Sequence, residues 1–272
     1  MDPFFFDPGY TLYAATGFSL WPGSRLLVEA LTTTTTTTTT RNNAEETVVP
    51  SLPPLLQQVR ASLRAHRDEK EKLSSLRILE LGAGIGMVGT CLAVAYPSAH
   101  VCLTDLSTLV EHGVQPNLQR NGLSYTTSTT ADCHRITTAV LDWTKPVPDA
   151  LKRQSWNVIV ASDCLLLQRL YRNALDTVQA LMSSSSSSSS PNNDAGTTQF
   201  FFTFQRRGRN AQYTTLEQVL DEIQQHRPHW HCECVAWRTV ALGRDGDEMD
   251  SRNELFLFRV TQRQEQEQQQ QE

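Results

Sequence analysis

Apolar and polar positions along this chain follow two patterns in turn, short apolar runs of strand length and longer stretches with apolar residues at helical spacing. Arg77 to Leu81 is an apolar run ending in a glycine cluster, and Ile85 to Tyr96 carries small and apolar residues at helical spacing until Pro97 stops it. His100 to Thr104 predicts a second strand, Ser107 to Asn121 a helix closed by Gly122, and Ile136 to Leu141 a third strand. The alternation continues with a strand over Trp156 to Ala161, a helix over Gln168 to Met182, a strand over Gln199 to Phe204 and a helix over Tyr213 to His226, ended by Pro228. Strands that alternate with helices imply a parallel sheet covered on both faces. The ending differs: Trp230 to Trp237 and Glu254 to Val260 have only the Gly- and Asp-rich stretch from Gly243 to Asp250 between them, so they should pair antiparallel. The prediction is an α/β fold, a doubly wound, mostly parallel seven-stranded sheet with a C-terminal antiparallel hairpin.

Three segments stand outside the pattern. Thr32 to Thr40 and Ser183 to Ser190 are homopolymer tracts without apolar periodicity and read as inserted loops, and the Gln- and Glu-rich end from Gln262 to Glu272 reads as a disordered tail. A formal net charge of −5 gives no general pull toward phosphate backbones. The compact basic patch of Arg206, Arg207 and Arg209 reads as a solvated loop, so no strong nucleic-acid signal is present. The six cysteines lack paired CxxC spacing, which argues against a zinc site or a disulfide framework and for a reducing compartment. Cys232 and Cys234 would share one face of a strand and are expected buried, and no metal is expected. Met1-Asp2-Pro3 and Phe4 to Phe6 open the chain without a basic leader or a long apolar run, so neither a signal peptide nor a membrane span is expected.

The strongest motif is Glu80-Leu81-Gly82-Ala83-Gly84-Ile85-Gly86, at the end of the first strand. Glycines there let the backbone approach a ligand, and the following helix presents its N-terminal amides to the crevice. Asp105 ends the second strand roughly 20 residues later, where a carboxylate in a nucleoside-binding α/β fold accepts hydrogen bonds from ribose hydroxyls. The bland alternatives are a tight turn without a ligand and a helix N-cap, since Asp105-Leu106-Ser107 also opens a helix. Gly84-Ile85-Gly86-Met87-Val88-Gly89 spells the dinucleotide fingerprint GxGxxG and keeps a nicotinamide-dependent oxidoreductase open. Register opposes that reading, because Gly82 already occupies the place directly after the strand. A carboxylate at Glu80 also suits a cationic ligand better than a pyrophosphate. Trp143 follows the third strand, at the carboxyl edge where ligands bind in such sheets; its alternative is a buried anchor.

Together with Gly17-Phe18-Ser19-Leu20-Trp21-Pro22, Thr104-Asp105-Leu106, Asn117 to Asn121, Leu141-Asp142-Trp143 and Ala161-Ser162-Asp163, the glycine motif resembles the seven-beta-strand lysine methyltransferases of family 16. The resemblance spans Gly17 to about Gln205 and the terminal hairpin, and it implies a Rossmann-like methyltransferase fold with S-adenosyl-L-methionine as cofactor and a protein lysine as acceptor. It implies that residues 1–31 contribute to the cofactor pocket, that 32–75 hold the low-complexity insert and a lead-in helix, and that 76–261 form the methyltransferase domain, with 262–272 as tail. By the same resemblance Trp21 lines the pocket, Glu80, Gly82 and Gly84 hold the methionine moiety, and Asp105 takes the ribose. Trp143 stacks near the adenine, Ala161 closes that side through its backbone, and Asp163 orients the acceptor amine. The family places an aromatic three positions after this aspartate; here Leu166 stands there, and Tyr171 lies too far on to replace it.

Methyl transfer from a sulfonium needs a neutral nucleophile held close to the methyl carbon, so positioning should dominate catalysis. The sequence thus reads as a monomeric, cytoplasmic or nuclear S-adenosylmethionine-dependent N-methyltransferase acting on a protein lysine, without membrane contact. A noncatalytic interaction module with this fold, favoured by Leu166, and the oxidoreductase stay open beside it.

Overall fold

The computed structural model describes residues 18, 20–32, 76–127, 135–186, 198–206, 212–241 and 252–262. The rest of the threonine tract, the lead-in helix, serines 187–190, the hairpin connection, Arg207, Arg209, Cys133 and the tail beyond 262 lie outside the described residues.

Among the described residues the first element is a helix, α1 (Pro22–Thr32), followed by β1 (Arg77–Leu81), α2 (Met87–Ala95) and β2 (His100–Asp105). The next helix is built in three parts, Ser107–Leu109, a wider π turn over Val110–Val114, and Gln115–Arg120; together they form α3. Then come β3 (Ile136–Val140), a one-turn helix α4 (Asp149–Lys152), β4 (Val158–Ser162), a tight 3-10 turn at Cys164–Leu166, α5 (Tyr171–Ser186), β5 (Gln199–Gln205), α6 (Leu216–His226), β6 (Trp230–Ala241) and β7 (Arg252–Gln262). The strands form one seven-stranded sheet in the order β3-β2-β1-β4-β5-β7-β6. β1 to β5 are parallel and β7 joins them antiparallel, with β6 paired antiparallel to β7. This is the expected doubly wound sheet with its terminal hairpin.

Both faces of the sheet are covered by apolar packing. Ile78, Val101, Leu103, Val160 and Phe201 face one core, shared with Leu27 and Leu31 of α1 and with Leu92 and Leu118. Leu79, Leu81, Ile159, Phe200 and Phe202 face the other, shared with Leu175, Val178, Val219 and Ile223 of α5 and α6. Adjacent strand residues therefore serve opposite layers, and the near-continuous apolar runs of β1, β4 and β5 follow from burial on both faces. Among the described residues, no helix is long and apolar enough to cross a membrane.

Several boundaries differ from the sequence reading for identifiable reasons. β4 starts and ends later than Trp156 to Ala161: Trp156 is a loop residue whose indole Nε1 donates to Leu151 O at 3.0 Å. Helix α5 begins after a turn, at Tyr171, and runs on into the serine tract as far as Ser186, so the first serines are helical and not a loop. Ser183 Oγ donates to Gln179 O at 2.8 Å, and Thr32 Oγ1 donates to Val28 O at 2.7 Å, so each tract opens by bonding back to the last turn of a helix. α6 begins at Leu216, because Thr215 and Gln218 form a capping box.

The expectation for the paired cysteines is corrected as well. Cys234 is exposed and Cys232 only partly buried, because a bulge between Cys234 and Ala236 breaks the alternation and turns Val235 into the core.

Candidate functional site

The glycine motif forms the turn from β1 into α2. Gly82, Gly84 and Gly86 have φ of 59°, 57° and 75°, a left-handed conformation at every second residue that side chains resist. The turn is held from β2: Ala83 N–H donates to Thr104 O at 3.0 Å and Gly84 N–H to Asp105 Oδ2 at 2.7 Å. Asp105 Oδ1 accepts the Leu106 N–H at 2.8 Å, so the carboxylate serves both the glycine turn and the start of α3. A Cβ on Gly113 would stand 2.5 Å from Gly84 O, which shows how closely the π turn of α3 packs against the same loop. Burial pushes the Asp105 carboxyl up to about 6 against the pull of its two amide donors.

Glu80 points under the first turn of α2. Its Oε2 accepts the Gly89 N–H at 2.8 Å, and a Cβ on Gly89 would lie 2.6 Å from that oxygen. The side chain is buried, and desolvation, with the nearby Asp105 charge adding to it, raises its carboxyl to about 8 despite the Gly89 donor. The third glycine of the apparent dinucleotide fingerprint therefore makes room for a carboxylate at the helix N-terminus, the place where that reading needs a pyrophosphate.

On the other side of the glycine turn, a Cβ on Gly82 would meet Cys164 Sγ at 2.6 Å and the Trp143 ring at 3.1 Å. Trp143 follows β3 and packs against the second core, and its buried indole nitrogen has no hydrogen-bond partner among the described residues. Ala161 is buried in β4, where it pairs with Leu81 of β1 and Phe202 of β5. Gly82, Gly84, Asp105 and Trp143 thus converge at the carboxyl ends of β1 to β3, while Ala161 lines the sheet one strand over.

Asp163 directly follows β4 with φ 53° and ψ 24°, the non-glycine residue with positive φ among those described. Its side chain was expected to face an incoming amine. In the structure Oδ2 accepts the Gly23 N–H at 3.3 Å and Oδ1 accepts the Gln205 N–H at 2.9 Å. The capping alternative is also redirected: the helix whose first turn Asp163 meets is α1, 140 residues upstream, and not the turn that follows it. Trp21 is the residue before α1, and its carbonyl accepts the Ser24 N–H at 3.1 Å. Leu166, at the position of the family aromatic, is half-buried, and its carbonyl accepts the Thr214 N–H at 2.7 Å. Tyr171 is buried in the second core and does not stand in for that aromatic.

Sequence reasoning missed α1 as a helix and with it Gly23, Ser24, Ser162 and Thr203, which meet at its N-terminus. Pro22 at the first helical position, followed by Leu26, Leu27, Ala30 and Leu31 at helical spacing, was the available signal. Among the described residues no group of three or more His, Cys, Asp or Glu could hold a metal.

The fold and the glycine turn that Asp105 ties down define a Rossmann-like class in which a ligand is held at the carboxyl edge of the sheet. Within that class the chain belongs to the lysine methyltransferase family, whose family model matches residues 12–201. It is 40% identical over 110 residues to the protein-lysine N-methyltransferase rrg1 of Schizosaccharomyces pombe, covering 38% of this chain and 34% of that protein. It is 22% identical over 116 residues to a calmodulin-lysine N-methyltransferase of Arabidopsis thaliana, covering 43% and 36% respectively. The matches span about a third of the length of these curated relatives. Among solved structures, a coclaurine N-methyltransferase aligns at 9% identity over 88% of this chain and 78% of that one, with a TM-score of 0.45.

Proposed function

We propose that this protein is an S-adenosylmethionine-dependent N-methyltransferase that methylates lysine on a protein substrate. The observation that carries the proposal is the glycine turn itself, left-handed at Gly82, Gly84 and Gly86 and tied to Asp105 at the tip of β2 through the Gly84 N–H. An adenosine fits this arrangement. The Asp105 carboxylate has lone pairs beyond the two it gives to backbone amides and would accept the ribose hydroxyls. Trp143 offers an aromatic face beside Gly82 and an indole N–H without a partner among the described residues. Gly82 and Gly84 would admit the methionine moiety close to the backbone, and Glu80, held at about 8 by burial in the ligand-free protein, would face its cationic groups from beneath α2 and ionise as they enter. Trp21 would form the rim on the α1 side, and Ala161, in β4, would close the adenine side through its backbone.

Bound there, S-adenosylmethionine supplies a methyl group on a positively charged sulfur. The part left to this chain is to present a neutral amine in line with it, where partial desolvation lowers the lysine pKa from about 10.4. Asp163, at the β4 tip, borders the acceptor side of the pocket. Monomeric state and a cytoplasmic or nuclear location belong to the same proposal.

Family membership and the acidic helix N-terminus beneath Gly89 favour this reading over a nicotinamide-dependent oxidoreductase. The test is calorimetry with S-adenosylmethionine, followed by incubation of the pure protein with methyl-labelled cofactor and a cell extract. The expected result is binding and label on lysine. Binding without labelled protein would favour the noncatalytic module, and absence of binding would remove the proposal.

A further inference from the structure

The first turn of α1 rests on a strand tip far away in sequence. The Gly23 N–H donates to Asp163 Oδ2 at 3.3 Å, and the Ser24 and Ser162 hydroxyls are 2.8 Å apart. A Cβ on Gly23 would stand 2.3 Å from Thr203 Oγ1 and 2.5 Å from Asp163 Oδ2, so the approach depends on glycine. Asp163 is fixed in turn by β5: its N–H donates to Thr203 Oγ1 at 3.1 Å and its Oδ1 accepts the Gln205 N–H at 2.9 Å. Its left-handed backbone, sparsely populated for a residue with a side chain, is held by these contacts.

A few residues upstream the chain lies against the opposite side of the site. Phe18 Cε1 is 3.5 Å from where a Cβ on Gly113 would be, and the nearest neighbour of that position is Gly84 O. The Phe18 ring thus stands on the side of the glycine turn after β1 and Gly23 at the tip of β4, so the two ends of this crossing lie on either side of the point where the strand order reverses, which is where open α/β sheets bind their ligands. Trp21 lies toward its Gly23 end.

We infer that Asp163 is a positioning residue that fastens this crossing over the cofactor crevice by capping α1 from a distance, and that its carboxylate does not meet the acceptor amine. The inference rests on the proposed cofactor site for its functional effect and on the Gly23 contact for its structure. A carboxylate at a helix N-terminus satisfies an orphan amide and favours the helix dipole. Both oxygens are engaged by backbone amides that hold α1 and β5 together, and losing them frees the segment that carries Trp21.

The experiment uses the full chain and compares Asp163→Ala, Gly23→Ala and the double variant by calorimetry with S-adenosylmethionine, by hydrogen exchange of the α1 amides, and by label transfer at saturating cofactor. Each single variant is expected to weaken cofactor binding about 10-fold and to speed α1 exchange, as loss of a buried charge-assisted contact does. The double variant should be little worse than either single one, because both remove the same contact. High cofactor should restore transfer to within a few fold, so the defect appears in KM and not in kcat. Asp163→Ala that abolishes transfer at saturating cofactor, with affinity and α1 exchange unchanged, overturns the inference. Should Asp163→Ala not fold, Gly23→Ala keeps the carboxylate and gives the same readouts, and unchanged exchange and affinity in it overturn the inference as well. If the wild type does not bind S-adenosylmethionine, the functional reading fails by itself, and α1 exchange alone decides whether Asp163 fastens the helix.

Discussion

Asp105 ends β2 and Asp163 follows β4, the strands on either side of β1, and each accepts two backbone N–H groups from inside the fold. They differ in what they hold. Asp105 ties a turn only 21 residues away to its own strand, within one β-α-β unit. Asp163 joins a helix 140 residues upstream and a strand 42 residues downstream, so it closes the molecule around the site. Similar chemistry thus ties down a turn in one place and a distant helix in the other, which on the proposed function would be the inside of the pocket and its cover.

Removing each carboxylate should separate these two tasks. Asp105→Ala should cost about 1.5–3 kcal/mol of S-adenosylmethionine binding, the scale for hydrogen bonds to a charged group, while α1 exchanges as in the wild type. A faster α1 in that variant would erase the distinction. Next in size, Gly89→Ala pushes a methyl into Glu80 Oε2 and Leu103 and should cost about 1–3 kcal/mol of stability in denaturant titration. A neutral result would show that Glu80 can leave its place under α2.

The pH dependence sharpens the account of the inner carboxylates. Glu80 at about 8 and Asp105 at about 6 stand above their unfolded values near 4, so between these limits the folded protein binds more protons than the unfolded one. Their contribution to stability is complete below the unfolded values and is lost as pH rises through about 6 and then about 8. Thermal melts of the ligand-free protein should therefore fall over this window, and Glu80→Gln should flatten the upper part. Cofactor binding, which needs Asp105 ionised, should release protons near pH 6, measurable as a buffer-dependent binding enthalpy. The smallest effect belongs to a cap made locally: Thr215→Ala removes one half of the α6 capping box and should cost about 1 kcal/mol without altering cofactor affinity.

What the sequence disclosed follows the same division. The glycine turn, its aspartate, Trp143 and the seven strands are written in short-range patterns: a strand, a turn that needs positive φ, a helix, and an acid at the next strand tip. Asp163 could be placed after β4 from its neighbours, but its partner could not. No local periodicity connects Gly23 with Asp163, and nothing around Gly23 in the chain shows that Thr203 and Asp163 fill the space where its Cβ would be. The break in alternation at Cys234 was likewise hidden, since a bulge is defined by the partner strand. The serine tract misled for another reason: its lack of apolar residues says nothing against continuing a helix already nucleated over Tyr171 to Met182.

The long reach of the Gly23 contact bears on the order in which the molecule is completed as it is made. α1 leaves the ribosome before the strand tips that seat it, which follow only after β4 and β5 have been synthesised, roughly 10 s or more later at ordinary elongation rates. Until then Leu26, Leu27, Ala30 and Leu31 have no sheet to cover, although all four are buried in the finished fold. The newborn chain therefore carries an unplaced helix with an apolar face until β5 has been made, the kind of surface that chaperones hold. Substitutions at Gly23 or Asp163 should accordingly lower the yield of folded protein in cells by more than the equilibrium stability of the purified variants suggests.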